Sequence, residues 1–148
     1  MDTCSDAAAA KFSSGYNCAQ SVLWAVAPRL HLDGETALKI ACGLGAGMGR
    51  SQEVCGAVTG GILALGMKFG RGSSDDRSAT EKTYAKAHEL MQRFSAVHGT
   101  CNCRQLLGGC DLTTESGRAV FKANGLVKTV CGPCVHTVCN LLEDLLQD

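Results

Sequence analysis

The sequence predicts an all-α protein, a compact multi-helix bundle with a Gly-rich central loop, on two observations. Hydrophobic residues make up 45% of the chain but aromatic residues only 5%, and with Ala, Gly and Leu plentiful that mix suits closely packed helices better than a sheet. Apolar residues also recur at helical spacing between residues that start and stop helices. At 148 residues with two prolines, a single domain over 1–148 is long enough to bury a core without needing disulfides.

The Ala-rich stretch from Asp2 to Ser14 forms a first helix, with Gly15 where the chain leaves it in the left-handed conformation. Asn17 caps a helix from Cys18 to Ala27, with Val22, Leu23 and Val26 on its apolar side, and Pro28 stops it. Asp33 caps the next helix, Gly34 to about Cys42. The following segment, Gly43 to Arg50, has four glycines in its first seven residues, so its backbone must bend or approach something closely. Glu53 to Phe69 reads as a buried helix whose small residues Gly56, Ala57, Gly60, Gly61 and Ala64 let neighbouring helices of the same molecule come near. After a polar loop, a long helix starts at Asp76 or Ser78 and ends at His98, before Gly99. Cys101-Asn102-Cys103 opens a short turn, Arg104 to Leu107, closed by Gly108-Gly109. Thr113 caps a segment to Ala123, which Asn124-Gly125 stops. Leu126 to Val130 is β-prone and leads to Cys131-Gly132-Pro133-Cys134 and a last helix. Its apolar stripe is Val135, Val138, Leu141, Leu142 and Leu145, with Cys139 on the same face.

Lys plus Arg equals Asp plus Glu at 14 each, which leaves no basic field for a phosphate backbone and argues against nucleic acid as a partner. The start, Met-Asp-Thr-Cys-Ser-Asp, lacks the positive charge of a signal peptide, and no apolar run approaches the ~20 residues of a membrane span. The expectation is a cytoplasmic protein with no membrane partner. In that compartment ten cysteines point to metal binding or redox chemistry rather than to disulfides.

Cys18, Cys55, Cys103, and Cys131 with Cys134 each fall at or just before a predicted helix start. Free N–H groups and the positive end of the helix dipole favour a thiolate there, lowering its pKa below the free value of about 8.5, and the thiolate is the form that binds metals. Helix starts that converge would offset the charge of an iron-sulfur cluster on four thiolates. Backbone N–H groups around Gly45 and Gly47 and the cation Arg50 would add to that support.

Five segments together resemble a known family: Asn17-Cys18-Ala19-Gln20-Ser21-Val22-Leu23, Gly45-Ala46-Gly47-Met48-Gly49-Arg50, Cys55-Gly56-Ala57-Val58-Thr59-Gly60-Gly61, Asn102-Cys103-Arg104-Gln105-Leu106-Leu107-Gly108, and Cys131 four residues before Val135. It is the redox-active family named for its C-GCAxxG-C-C pattern, and the resemblance runs from about Phe12 to Leu146. The resemblance implies a redox role and a likeness to the domain of split-Soret cytochromes, which carries an iron-sulfur centre of the [2Fe-2S] type in a dimeric protein. Position by position, it makes Cys18, Cys55, Cys103 and Cys131 the metal ligands. Cys4, Cys42, Cys101, Cys110, Cys134 and Cys139 lie outside the pattern. The expected function is electron transfer or redox sensing, by an electron carrier rather than a stand-alone enzyme, with a redox protein as partner; a homodimer is what the resemblance alone implies, and the sequence leaves the oligomeric state open. No residue pattern marks a substrate pocket, and four thiolates leave no open position on the metal.

Other chemistries fit parts of the chain. Cys131-Gly132-Pro133-Cys134 spells the thioredoxin active-site tetrapeptide and would serve thiol–disulfide exchange. No alternating strands and helices surround it, however, no Trp precedes it, and exchange would leave Cys18, Cys55 and Cys103 without a role. Four cysteines also suit structural zinc, although zinc modules pair theirs in local knuckles. Val135 stands where C-x-x-C-H requires His, which argues against covalent haem. Cysteine also packs as a small core hydrophobe, a reading open to Cys4, Cys110 and Cys139. His98 fits either a ligand-orienting role or, more simply, the dipole at a helix C-terminus.

Overall fold

The computed structural model describes residues 3–147, so Asp2, the predicted start of the first helix, lies outside them. The regular elements are helical: α1 (Cys4–Ser13), α2 (Cys18–Val26), α3 (Gly34–Ala41), α4 (Gly56–Phe69), α5 (Arg77–His98), α6 (Cys103–Leu106), α7 (Glu115–Ala123) and α8 (Gly132–Leu145). Strand-like pairing among the described residues is confined to one antiparallel bridge, Val54 with Asn102. No helix among them is long and apolar enough to cross a membrane.

Side chains satisfy the free N–H groups at most helix starts. Thr3 and Asp6 form a reciprocal capping box on α1, and Asn17 and Gln20 form another on α2. Asp33, Asp76, Asn102 and Thr114 cap α3, α5, α6 and α7. Thr114 caps α7 in place of the predicted Thr113, whose N–H and hydroxyl both donate to Asp111 Oδ1, at 2.9 and 2.6 Å. Pro28 narrows the chain rather than stopping it: Ala27–Leu30 continues as a 3-10 turn, which ends at His31 with φ 55°.

Two predicted elements differ more. The buried helix begins at Gly56, not Glu53, because residues 52–55 are drawn onto residues 101–104: the Cys55 N–H donates to Cys101 O at 2.7 Å and the Cys103 N–H to Glu53 O at 2.6 Å. The β-prone run Leu126–Val130 is helical. Val127–Cys131 forms a π turn, closed by Gly132 N–H to Val127 O, that runs unbroken into α8. A proline ring inside an α-helix clashes with the carbonyl four residues earlier, and the wider π turn just ahead of Pro133 relieves that conflict. Cys131, at φ −67° and ψ −41°, therefore lies within a helical run rather than at a free helix start.

Helix α4 runs through the centre. A Cβ on Gly60 would sit 2.7 Å from Ala19 O on α2, and one on Gly61 would sit 2.9 Å from Leu90 on α5 and from Val138 on α8. The small residues thus serve packing inside the molecule, as predicted. Around them Leu23, Val58, Leu65, Leu90, Phe94, Val138 and Leu142 form the main core. A smaller apolar cluster gathers Cys103, Leu107 and Leu112, with Phe121, Leu126 and Val130 packed against it. Helix α7 carries no buried residue.

The Gly-rich segment bends as predicted. After a 3-10 turn at Cys42–Leu44, residues Ala46, Gly47, Met48, Gly49 and Arg50 all take positive φ, from 55 to 70°, in one left-handed turn. Each of its three non-glycine members costs about 1–2 kcal/mol in that conformation. The turn is tied down by Gly49 N–H to Gly45 O (3.0 Å), Gln52 N–H to Ala46 O (3.2 Å) and Glu53 N–H to Gly47 O (3.0 Å).

Gly60→Ala is expected to destabilise the protein by about 1–3 kcal/mol through this overpacking, even though Ala is the better helix former. Urea denaturation measures it, and an unchanged or raised midpoint would show that α2 and α4 are not locked at glycine distance.

Candidate functional site: a thiol-lined cavity

Asn17 fixes the first wall. Its Oδ1 accepts the Gln20 N–H (2.9 Å) and its Nδ2 donates to Cys42 O (2.9 Å), which sets Cys18 in the first turn of α2. The Asn17 side chain occupies the space a Cβ on Gly45 would need, with Nδ2 only 2.3 Å away. Gly47 is required for a similar reason: its Cβ would lie 2.6 Å from Gln52 Cα and 2.8 Å from Cys103 Cβ. The visible role of Gly45 and Gly47 is thus close approach. Gln52, only 2% exposed and at φ 55°, joins the left-handed turn to the second cluster. It donates to Cys110 O at 2.7 Å and accepts the Leu112 N–H at 2.8 Å.

These walls line a half-open cavity of about 490 Å³, bordered by the thiol-bearing residues Cys18, Cys55, Cys103, Cys131 and Cys134. All four predicted ligands are there, and Cys134 joins them. Cys18, Cys55 and Cys134 belong to the main core and Cys103 and Cys131 to the smaller cluster, so the cavity opens along the seam between the two. Gly47 and Arg50 line it as well, while Gly45 stands behind the wall. No residue pattern in the sequence marks a space of this size.

The remaining cysteines lie outside the cavity lining. Cys101 contacts Ser95 Oγ (3.2 Å) and donates to Met91 O (3.4 Å), Cys110 donates to Gly117 O (3.2 Å), and Cys42 is exposed. Cys4 and Cys139 interact with each other, both buried in the main core. His98 Nε2 pairs with Thr137 Oγ1 at 2.8 Å and its ring packs on Phe94, so it contacts no cavity thiol.

Inside the cavity the thiols act on one another as a set: Cys18 interacts first with Cys131 and Cys134 first with Cys55, Cys18 also feels Cys55 and Cys134, and Cys103 feels the charge of Cys55 and Cys131. Among the described residues no three His, Cys, Asp or Glu side chains converge as they would around a single metal ion. The helix-start argument holds for one thiol of the set. Cys55 is lowered by its interaction with Cys134, against burial, and then by the N–H groups of Ala57 and Val58 at the start of α4. Cys131 is lowered by Cys18 and not by a helix end. Cys18 is pushed well up by its interaction with Cys131 and by burial, and burial with neighbouring thiols pushes Cys103 up to about 12. At these two helix starts, desolvation and the company of other sulfurs outweigh the dipole.

The family description "Putative redox-active protein (C_GCAxxG_C_C)" matches residues 16–145. The chain belongs to the C-GCAxxG-C-C family. Membership accounts for the cysteine spacing and supports a redox protein rich in cysteine on an all-α fold. An uncharacterized protein of Archaeoglobus fulgidus is 28% identical over 109 residues, covering 69% of this chain and 72% of the relative. No solved structure matches. Sequence reasoning left Cys134 undecided and gave no signal for Gln52; the CGPC spacing, which puts Cys131 and Cys134 one helical turn apart, is what could have found Cys134.

These shifts set a pH dependence for the reduced, metal-free protein. A thiol raised on folding stabilises the fold below its unfolded pKa of about 8.5, and that contribution is lost as pH climbs toward the folded value, about 12 for Cys103. Cys18 and Cys134 act in the same direction. Cys55 and Cys131 are lowered, so their contribution is complete above the unfolded value and does not offset the loss. Stability should therefore fall steadily above about pH 8.5, and Cys103→Ala should flatten the fall. Urea midpoints across that range provide the check; an unaltered slope in the variant would rule out a protonated Cys103.

Proposed function

We propose that the cavity holds an iron-sulfur cluster of the [2Fe-2S] type on Cys18, Cys55, Cys103 and Cys131, and that the protein transfers electrons or senses redox state. The carrying observation is the meeting of thiols from α2, the start of α4, α6 and the approach to α8 at one cavity. The donor set suits the group. Four cysteine thiols from separate elements, buried or half-buried together and sensing one another's charge, offer the all-thiolate donor set that such a cluster takes. Such a cluster supplies reversible one-electron storage.

The chain's own groups supply the rest. N–H groups of Ala57 and Val58 favour the thiolate at Cys55. Arg50 and Arg118 bring positive charge to a wall otherwise built from side chains such as Phe12, Leu107 and Val130, which limit the access of water. Cys18 and Cys103 hold their protons in the metal-free protein, so metal uptake at these positions releases protons and strengthens with pH. Exchange through the Cys131/Cys134 dithiol is less well served, because each thiol interacts first with a cysteine outside the tetrapeptide.

Anaerobic purification followed by iron and acid-labile sulfide analysis and a visible spectrum tests the proposal. Iron, sulfide and charge-transfer absorption are expected, and their joint absence sinks it. Replacing Cys18, Cys55, Cys103 or Cys131 singly by Ser should abolish or severely reduce the iron content, whereas Cys134→Ser should retain it. Iron lost in Cys134→Ser but kept in Cys103→Ser would overturn the ligand assignment.

A further inference from the structure

The cavity is built for more than thiolate ligation. Part of its wall is aromatic: Phe12 at the end of α1, Tyr16 in the loop after it, and Phe121 on α7. The Lys11 ammonium lies 4.7 Å from the Tyr16 ring centroid and 4.2 Å from that of Trp24, a cation between two aromatic faces. The cavity as a whole, about 490 Å³, falls in the range of small-molecule sites, which combine apolar walls with a few polar groups, and a cluster on its thiols would share that space with a second ligand.

Two cations give that wall a chemical preference. Arg29, Arg93 and Arg104 each pair with a carboxylate. Arg50 and Arg118, both exposed, are the arginines that line the cavity, and like Arg71 and Arg77 they have no carboxylate partner among the described residues. Arg118 gives one N–H to Leu112 O at 3.0 Å, which anchors it and leaves its other donors available. Arg50 comes from the left-handed turn, held at φ 66°. Arg118 and Phe121 come from α7, a helix with no buried residue, so neither side chain is needed to fill the main core. A guanidinium recognises a planar oxyanion through paired N–H donors.

Resting on the reading of this cavity as the redox site, we propose that it also binds a small organic carboxylate, with the apolar body against Phe12, Tyr16 and Phe121 and the carboxylate on Arg50 and Arg118. The protein is then a redox protein that holds a small acid beside its thiol centre.

Calorimetric titration of the anaerobically purified protein with benzoate and with its neutral counterpart benzamide tests this, with iron measured on the same samples. Benzoate is expected to bind at least about tenfold more tightly than benzamide, the range of a charge-assisted hydrogen bond. Arg50→Gln and Arg118→Gln should each remove most of that preference while benzamide binding persists, which shows that the cavity is intact. Phe121→Ala should weaken both ligands alike. Equal affinities for benzoate and benzamide, or a preference that survives both arginine replacements, overturns the proposal. Loss of iron from the arginine variants with the preference unchanged overturns it too and assigns the arginines to the cluster. Iron-loaded protein that ignores benzoate refutes only this inference; iron-free protein that prefers benzoate refutes only the cluster.

Discussion

The close approach of α2 and α4 is the contact on which the rest of the site depends. Gly60 meets the Ala19 carbonyl, and one turn earlier on the same face Gly56 meets Ala19 N and Cys18 Cβ, where an added Cβ would be 3.4 Å away. With no side chains between them the two helix starts lie against each other, and Cys18 and Cys55 come together at their ends. The other side of α4 is as tightly set by Gly61 against Leu90 and Val138, which positions α8 and with it Cys134. A single helix that is smooth on two faces therefore fixes three of the five cavity thiols.

Cys103 depends on a different device. The left-handed turn at Ala46–Arg50 folds the chain back so that residues 52–55 can pair with residues 101–104, and Gly47 leaves room for Cys103 beside it. Three non-glycine residues in left-handed backbone would not persist alone. Here the backbone bonds to Gly45, Ala46 and Gly47 and the two side-chain bonds of the buried Gln52 hold them. Strain concentrated next to the thiols is offset by a network that also closes the smaller cluster over the cavity.

The electrostatics of the thiols show which physical effect dominates. At a helix start in water the dipole would lower each thiol; in this cavity only Cys55 benefits, through Ala57 and Val58. Burial at Cys103 and the neighbouring sulfur at Cys18 act more strongly, so the metal-free thiols hold protons unequally. The same crowding that makes Cys18 and Cys103 poor thiolates individually is what the proposed cluster would draw on once the protons leave.

The sequence alone determined the features that rest on neighbours three or four residues apart. The caps at Asn17, Asp33 and Asp76, the stops at Gly15, Gly99 and Gly125, the all-α class, and the cysteines at 18, 55 and 103 beside helix starts were legible there. Their causes are local hydrogen bonds and backbone conformations that short segments carry with them. Tertiary structure alone decided the cavity, the place of Cys134 in it, the role of Gln52 and the left-handed turn. It also set the π turn that takes Cys131 away from a free helix start. The cavity and the places of Cys134 and Gln52 are decided by groups beyond a short window's reach: Gln52 bonds residues 58 and 60 positions away, and Cys18 and Cys131 meet only where the main core adjoins the smaller cluster. A local pattern records what a residue prefers, whereas its neighbours across the core decide its protonation, its partners and its chemistry.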